Sequence, residues 1–229
     1  MAKDSREPIA PEDFTDDYDP EPRWPALVAA LAAGGLYTAL PDVLTLGPRW
    51  LFPSVFLALL IPAVISHHVG RHHLNTIFGF AVDGVLTAGL IISVTLLVGA
   101  LPGASAEKAR QLLRSAAALW ITNILVFALW YWRLDAGGPH QRGKRAGHCD
   151  GAILFPQMTM NKKALKETGE QNWSPNFIDY LFLAFNTSTA FSPTDAPVLA
   201  RWAKVLMMIQ SLLSLLIIAL LAARAINTL

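Results

Sequence analysis

The sequence predicts an all-α polytopic membrane protein with five transmembrane helices and one further re-entrant helix, and three observations carry that expectation. Hydrophobic residues fill 53% of the 229 positions, charged residues only 15%, and the mean hydropathy is +0.40, whereas a soluble domain carries about 25% charged residues. The charge is also concentrated: the first 24 residues hold eight of the seventeen acids, Asp4, Glu7, Glu12, Asp13, Asp16, Asp17, Asp19 and Glu21, beside Lys3, Arg6 and Arg23. Elsewhere, apolar runs recur near the roughly 20 residues that a helix needs to cross a bilayer core. This composition excludes a soluble enzyme, a disordered chain and an ordinary nucleic-acid binder.

Residues 1–23 read as an acidic, disordered, solvated tail; the first 24 positions sum to −5 and the remainder to +6. Acids and prolines stand where a secretory signal would place its apolar segment, so no signal peptide is expected. The first span, 24–40, is Ala-rich and short, and stops at Pro41 and Asp42. The second, 50–65, contains Pro53 and Pro62. After it come His67, His68, His72 and His73. Their i, i+4 spacing sets His68 and His72 on one helical face, as a metal pair requires. Gly70 interrupts them and no carboxylate or cysteine accompanies them, which favours plain solvation over metal binding or a pH-sensitive charge.

The third span, 77–101, is broken only by Asp83. A carboxylate inside a membrane is costly enough to mark a functional candidate; the alternative is a position from which it reaches headgroups or Arg71. The fourth span, 112–134, ends in Trp130, Tyr131 and Trp132, residues that favour the headgroup level. Its Asn123 suits interhelical hydrogen bonding, a packing role. Residues 135–174 then change character, with Gly137, Gly138 and Pro139 followed by Arg142, Lys144, Arg145, Lys162, Lys163 and Lys166. This reads as an exposed basic loop in which the short apolar run 153–155 dips into the interface. Cys149 is the single cysteine, so no intrachain disulfide forms, and with His148 and Asp150 it reads as a free thiol beside polar neighbours rather than a metal site. The fifth span, 198–226, has no charge between Lys204 and Arg224 and no Gly or Pro.

One apolar stretch, 177–185, is too short to cross: nine residues as a helix cover about 14 Å of a core of roughly 30 Å. The polar run 186–195 follows it, before the fifth span. A short helix, a Thr/Ser/Pro coil and a full span describe a re-entrant segment, and irregular backbone at membrane depth persists only where protein or a watery cavity surrounds it.

These residues resemble the pore module of tetrameric, potassium-channel-like cation channels: outer helix, pore helix, filter and inner helix. In that family an Asp near the start of the pore helix is followed by Thr eight and ten residues on and by Asp sixteen residues on. Here Asp179 is followed by Thr187, Thr189 and Asp195 at those offsets. Pro197 and Arg201 resemble the family's outer edge. The filter positions depart from the family, reading Ala190, Phe191, Ser192, Pro193 and Thr194. Both filter glycines are absent and Pro193, fixed near φ −65°, stands in the tyrosine slot. The resemblance then implies a lining of hydroxyls from Thr187, Ser188, Thr189, Ser192 and Thr194 and the Asp195 carboxylate in place of carbonyl rings. The inner helix offers Ser211 and Ser214 where such helices often hinge at glycine. The strings at 128–139 and 185–195 also resemble an uncharacterised group of bacterial membrane proteins with channel-like C-terminal halves.

The resemblance divides residues 24–111, a three-helix membrane bundle, from a channel-like module at 112–229: outer helix, basic loop 135–174, pore helix 177–185, filter-like coil 186–195 and inner helix 198–226. It implies a multi-pass protein of the cell membrane, a homotetramer passing monovalent cations passively, with no catalytic residues, cofactor, metal or nucleic-acid partner expected. The other reading is a non-conducting scaffold or partner subunit with a degenerate pore module. A transporter would show repeated halves, which the sequence lacks. Orientation is contested. Lys and Arg counts favour an interior N-terminus by ten to five, and the channel resemblance favours an outward-facing basic loop.

Overall fold

Among the residues that the computed structural model describes, 21–100, 106–142, 151–170, 173–191 and 196–226, the backbone is helical apart from turns and one isolated β-bridge. The helices are α1 (Trp24–Thr38), α2 (Leu51–His68), α3 (His72–Ala100), α4 (Ala106–Leu134), α5 (Pro139–Arg142), α6 (Lys162–Glu167), α7 (Phe177–Ala190) and α8 (Arg201–Ile226). Of these, α2, α3, α4 and α8 are long and apolar enough to cross a membrane. The expected first span is shorter than that: α1 has 15 residues, about 22 Å at 1.5 Å per residue.

Each helix follows from its local chemistry. Pro25 sits in the first turn of α1, where its missing N–H would be unpaired anyway. The buried stripe of α1, Ala26, Ala29, Ala30, Ala33 and Gly34, is small, so α1 lies close against α4. Pro62 stands inside α2, and the Ser66 hydroxyl donates to its carbonyl at 2.6 Å. Gly70, at φ +72°, separates α2 from α3 by a turn that a side chain would strain. Val82, Leu86, Leu90, Val94 and Leu97 give α3 a buried stripe at helical spacing. The centre of the assembly is α4, which packs against α1, α3, α7 and α8. It thereby joins the two halves that the sequence divides at residue 112.

Contacts at chain ends fix the course of the helices. Arg23, before α1, bonds His67 at the end of α2 and Asn75 at the start of α3. The rings of His72 and His140, after α4, stack at 3.6 Å. Trp132 near the end of α4 meets Phe177 at the start of α7. Ile153 bridges Val198 just before α8. The starts of α1, α3, α7 and α8 and the ends of α2 and α4 therefore share one end of the molecule, called here the loop end.

Two expectations change. Glu21 and Arg23 are held against the helices rather than solvated, and residues 1–20 lie outside the described part. The basic loop is only partly exposed: Asp135, Arg142, Ile153 and Phe155 within it are buried. The run at 153–155 pairs with the chain before α8, with Leu154 N–H donating to Pro197 O at 2.9 Å and Leu199 N–H to Ala152 O at 2.8 Å.

Candidate functional site

The segment singled out by its length, α7, begins at the loop end with a capping box. The Asn176 side chain accepts from Ile178 N–H at 2.8 Å, and the Asp179 carboxylate accepts from Asn176 N–H at 2.8 Å. Asp179 is thus engaged in starting the helix. With Asn186, Phe182, Phe155 and Gln157 it also lines an open cleft of about 320 Å³.

The helix does not stop at residue 185. It runs to Ala190 and ends at Phe191 in the left-handed region, φ +55°, so 186–190 is helix rather than coil. The hydroxyls in this turn are satisfied within the helix: Thr187 donates to Leu183 O at 2.8 Å and Thr189 to Phe185 O at 3.0 Å. Thr187 and Ser188 are fully buried inside the chain, whereas Thr189 is exposed. Ser192, Pro193, Thr194 and Asp195 lie outside the described residues.

Along its inner face α7 joins a buried polar seam with α4 and α8. Gln210 is its centre: Nε2 donates to Ala184 O at 2.7 Å and to Ser188 Oγ at 2.9 Å, while Oε1 accepts from the Tyr131 hydroxyl at 2.5 Å. Asn123 Nδ2 donates to Ser214 Oγ at 2.8 Å and to Gln210 O at 3.4 Å. Asn123 therefore holds the packing position expected of it, and Ser214 serves as its acceptor. In an apolar interior such bonds specify one register of three helices, because any slip leaves several polar atoms unpaired.

The chain enters this seam and returns. From the loop end α7 runs inward beside α4, with Phe185 against Trp120, and Ser188 meets Gln210 nine residues into α8, about 14 Å along that helix. By Pro197 the chain is back at the loop end.

Asp83 is completely buried, and its partner is Arg133 rather than Arg71 or headgroups: Nε to Oδ2 is 2.5 Å. Arg133 lies across Gly79, where an added Cβ would collide with the guanidinium, and its cation faces the rings of Phe80 and Trp132. The histidines do not form the predicted i, i+4 pair, because the Gly70 turn places His68 and His72 on different helices. His67 Nδ1 accepts from Arg23 at 3.0 Å and His68 Nδ1 meets Val64 O at 2.9 Å. Among the described residues no group of three His, Cys, Asp or Glu is placed to hold a metal; His148, Cys149 and Asp150 are outside them.

At the loop end the structure adds a polar knot that the sequence reading missed. Asp135 accepts from the Tyr180 hydroxyl at 2.7 Å and from Ala152 N–H at 2.6 Å. Arg142 Nη1 donates to Trp132 O at 2.7 Å and Asp135 O at 2.9 Å, and Nη2 pairs with Glu21 at 3.0 Å. Trp132 Nε1 donates to the other Glu21 oxygen. Gln210 was in principle findable as a lone amide in an uncharged span; Arg142 and Glu21, amid other charges, carried no such signal. No protein-family model matches the chain, and no curated protein or solved structure matches it.

Proposed function

We propose that the chain is a multi-pass protein of the cell membrane in which α4, α7 and α8 form a channel-like module, and that four copies around a common axis pass cations passively. The observation that carries the reading is the course of α7: an apolar helix of 14 residues, about 21 Å long, that enters from the loop end, with the chain returning there before α8 begins. A helix ending at mid-depth exposes unpaired carbonyls, which hydrocarbon does not tolerate. The exposed end at Thr189, Ala190 and Phe191 then needs cover from other copies or from a watery cavity. A single module encloses no pore, so closed symmetry is required.

In this reading α1 crosses as a short fifth span, and the outer apolar faces of α2 and α8, among them Ile61, Ile65, Leu212 and Leu215, meet lipid. The lining falls to Thr189, Ser192, Thr194 and an Asp195 carboxylate ring, since the Thr187 and Ser188 hydroxyls are engaged inside each copy. The test is cation flux into proteoliposomes: wild type is expected to exceed empty vesicles, Asp195→Asn to lower the flux severalfold, and Thr189→Val to change it. Flux no greater than that of empty liposomes across several ions and pH values would reject conduction.

A second reading, a non-conducting scaffold, draws on the same seam. Ser188 and the Ala184 carbonyl of α7 bond Gln210 of α8, which also holds Tyr131 of α4, and such bonding is also what a structural module needs.

A further inference from the structure

We propose that the loop end contains a carboxylate-binding socket, filled by the chain's own Glu21, whose occupancy sets how firmly α7 is seated. Donors from two elements converge on one carboxylate: the Trp132 indole N–H on Oε1 and Arg142 Nη2 on Oε2. The Arg142 guanidinium is fixed in place. Arg142 is 1% exposed, its Nη1 is held by two carbonyls, and its guanidinium carbon lies 5.0 Å from the centre of the Tyr180 ring. A guanidinium enclosed in this way requires an anion. Asp135, whose carbonyl Arg142 holds, has its carboxylate engaged by Tyr180 and Ala152 N–H, and Asp179 is engaged by Asn176 N–H. Glu21 supplies the charge, its side chain only 3% exposed.

The ligand stands two residues before Arg23, the N-cap residue of α1, which bonds His67 and Asn75. With Arg23 left in place, the Glu21 side chain can leave without unwinding a helix, which distinguishes a socket from an ordinary buried ion pair between helices. Its contents reach α7 from both sides. Tyr180, in the first turns of α7, lies against Arg142 and donates to Asp135. Asp135 holds Ala152, whose strand-like run pairs with 197–199 on the returning chain. An emptied socket leaves a buried cation that must recruit another anion or swing outward, and outward movement removes the surface against which Tyr180 rests. The inference is independent of whether the module conducts.

Hydrogen exchange of the full chain in nanodiscs, read by mass spectrometry over α7 and over α2 as a control, tests it. Glu21→Ala is expected to speed exchange in the first half of α7 by about tenfold or more and to leave α2 unchanged. Sodium propionate should slow it again, sodium chloride of equal ionic strength should not, and Arg142→Met in the same background should abolish the rescue. Glu21→Gln, which keeps the volume and an acceptor for Trp132, carries the same comparison if the alanine variant does not fold. Wild-type exchange in both variants, or equal responses to propionate and chloride, would overturn the proposal. So would failure of both variants to fold in propionate, since a binding socket refills from solution.

Discussion

Arg133 shows how one residue decides the meaning of another. Asp83 is a buried carboxylate in a long apolar helix with no neighbour in sequence to neutralise it, yet the guanidinium 50 residues on lies against it with only 14% of its own side chain exposed. Removing one partner of such a pair strands a buried charge, which costs about 3–5 kcal/mol. Arg133→Met is therefore expected to destabilise the protein by about that amount in denaturant unfolding in mild detergent, and Asp83→Leu added to it should recover most of the loss. Gly79→Ala should also destabilise, because its Cβ would occupy the guanidinium's place. In the Arg133→Met background that penalty should largely disappear, a non-additivity that a double-mutant cycle reads directly. Thr187→Val, by contrast, removes a hydroxyl bonded only within its own helix and should be close to neutral.

At the scale of elements, Gln210 is the residue through which α8 grips α4 and α7. Gln210→Leu leaves Ser188 and Tyr131 without a buried partner, and about 1–3 kcal/mol should be lost. Ser214→Ala removes one acceptor and should cost less, on the order of 0.6 kcal/mol. The order of the two effects is the discriminating measurement: an equal or inverted ranking would mean that the seam is not centred on Gln210. The same contacts bear on α7 beyond its apolar stretch. Hydropathy fades after residue 185, but the Gln210 amide from α8 bonds Ala184 O and Ser188 Oγ there, and the backbone stays helical to Ala190.

For the whole molecule, the shared loop end makes orientation a single question. Residues 21–23, the α2–α3 turn and the segment after α4 lie together, so Pro22→Cys and native Cys149 are expected to react with a membrane-impermeant reagent from the same side. Pro48→Cys, between α1 and α2, should react from the opposite side. Under the proposed channel-like orientation Cys149 is labelled from outside intact cells; protection there would place the basic loop inside, as the Lys and Arg count favours. Mass measurement in native nanodiscs is expected to give a tetramer, and a monomer would remove the basis for a pore.

The amino-acid sequence by itself determined where the four long apolar helices lie, that a shorter apolar segment stands before the last of them, and which polar residues stand among apolar ones. Those properties are local: hydropathy and helical periodicity are read within a window of some twenty residues. Only the tertiary structure decided what the polar residues do. Asp83 belongs to Arg133, Asn123 to Ser214 at a separation of 91 residues, and Glu21 to Arg142 at 121. Thr187 and Ser188, expected on a filter-like coil, lie in a helix facing inward. A buried polar atom is satisfied by whatever the packing of α4 brings within hydrogen-bonding distance, and no local pattern encodes that partner.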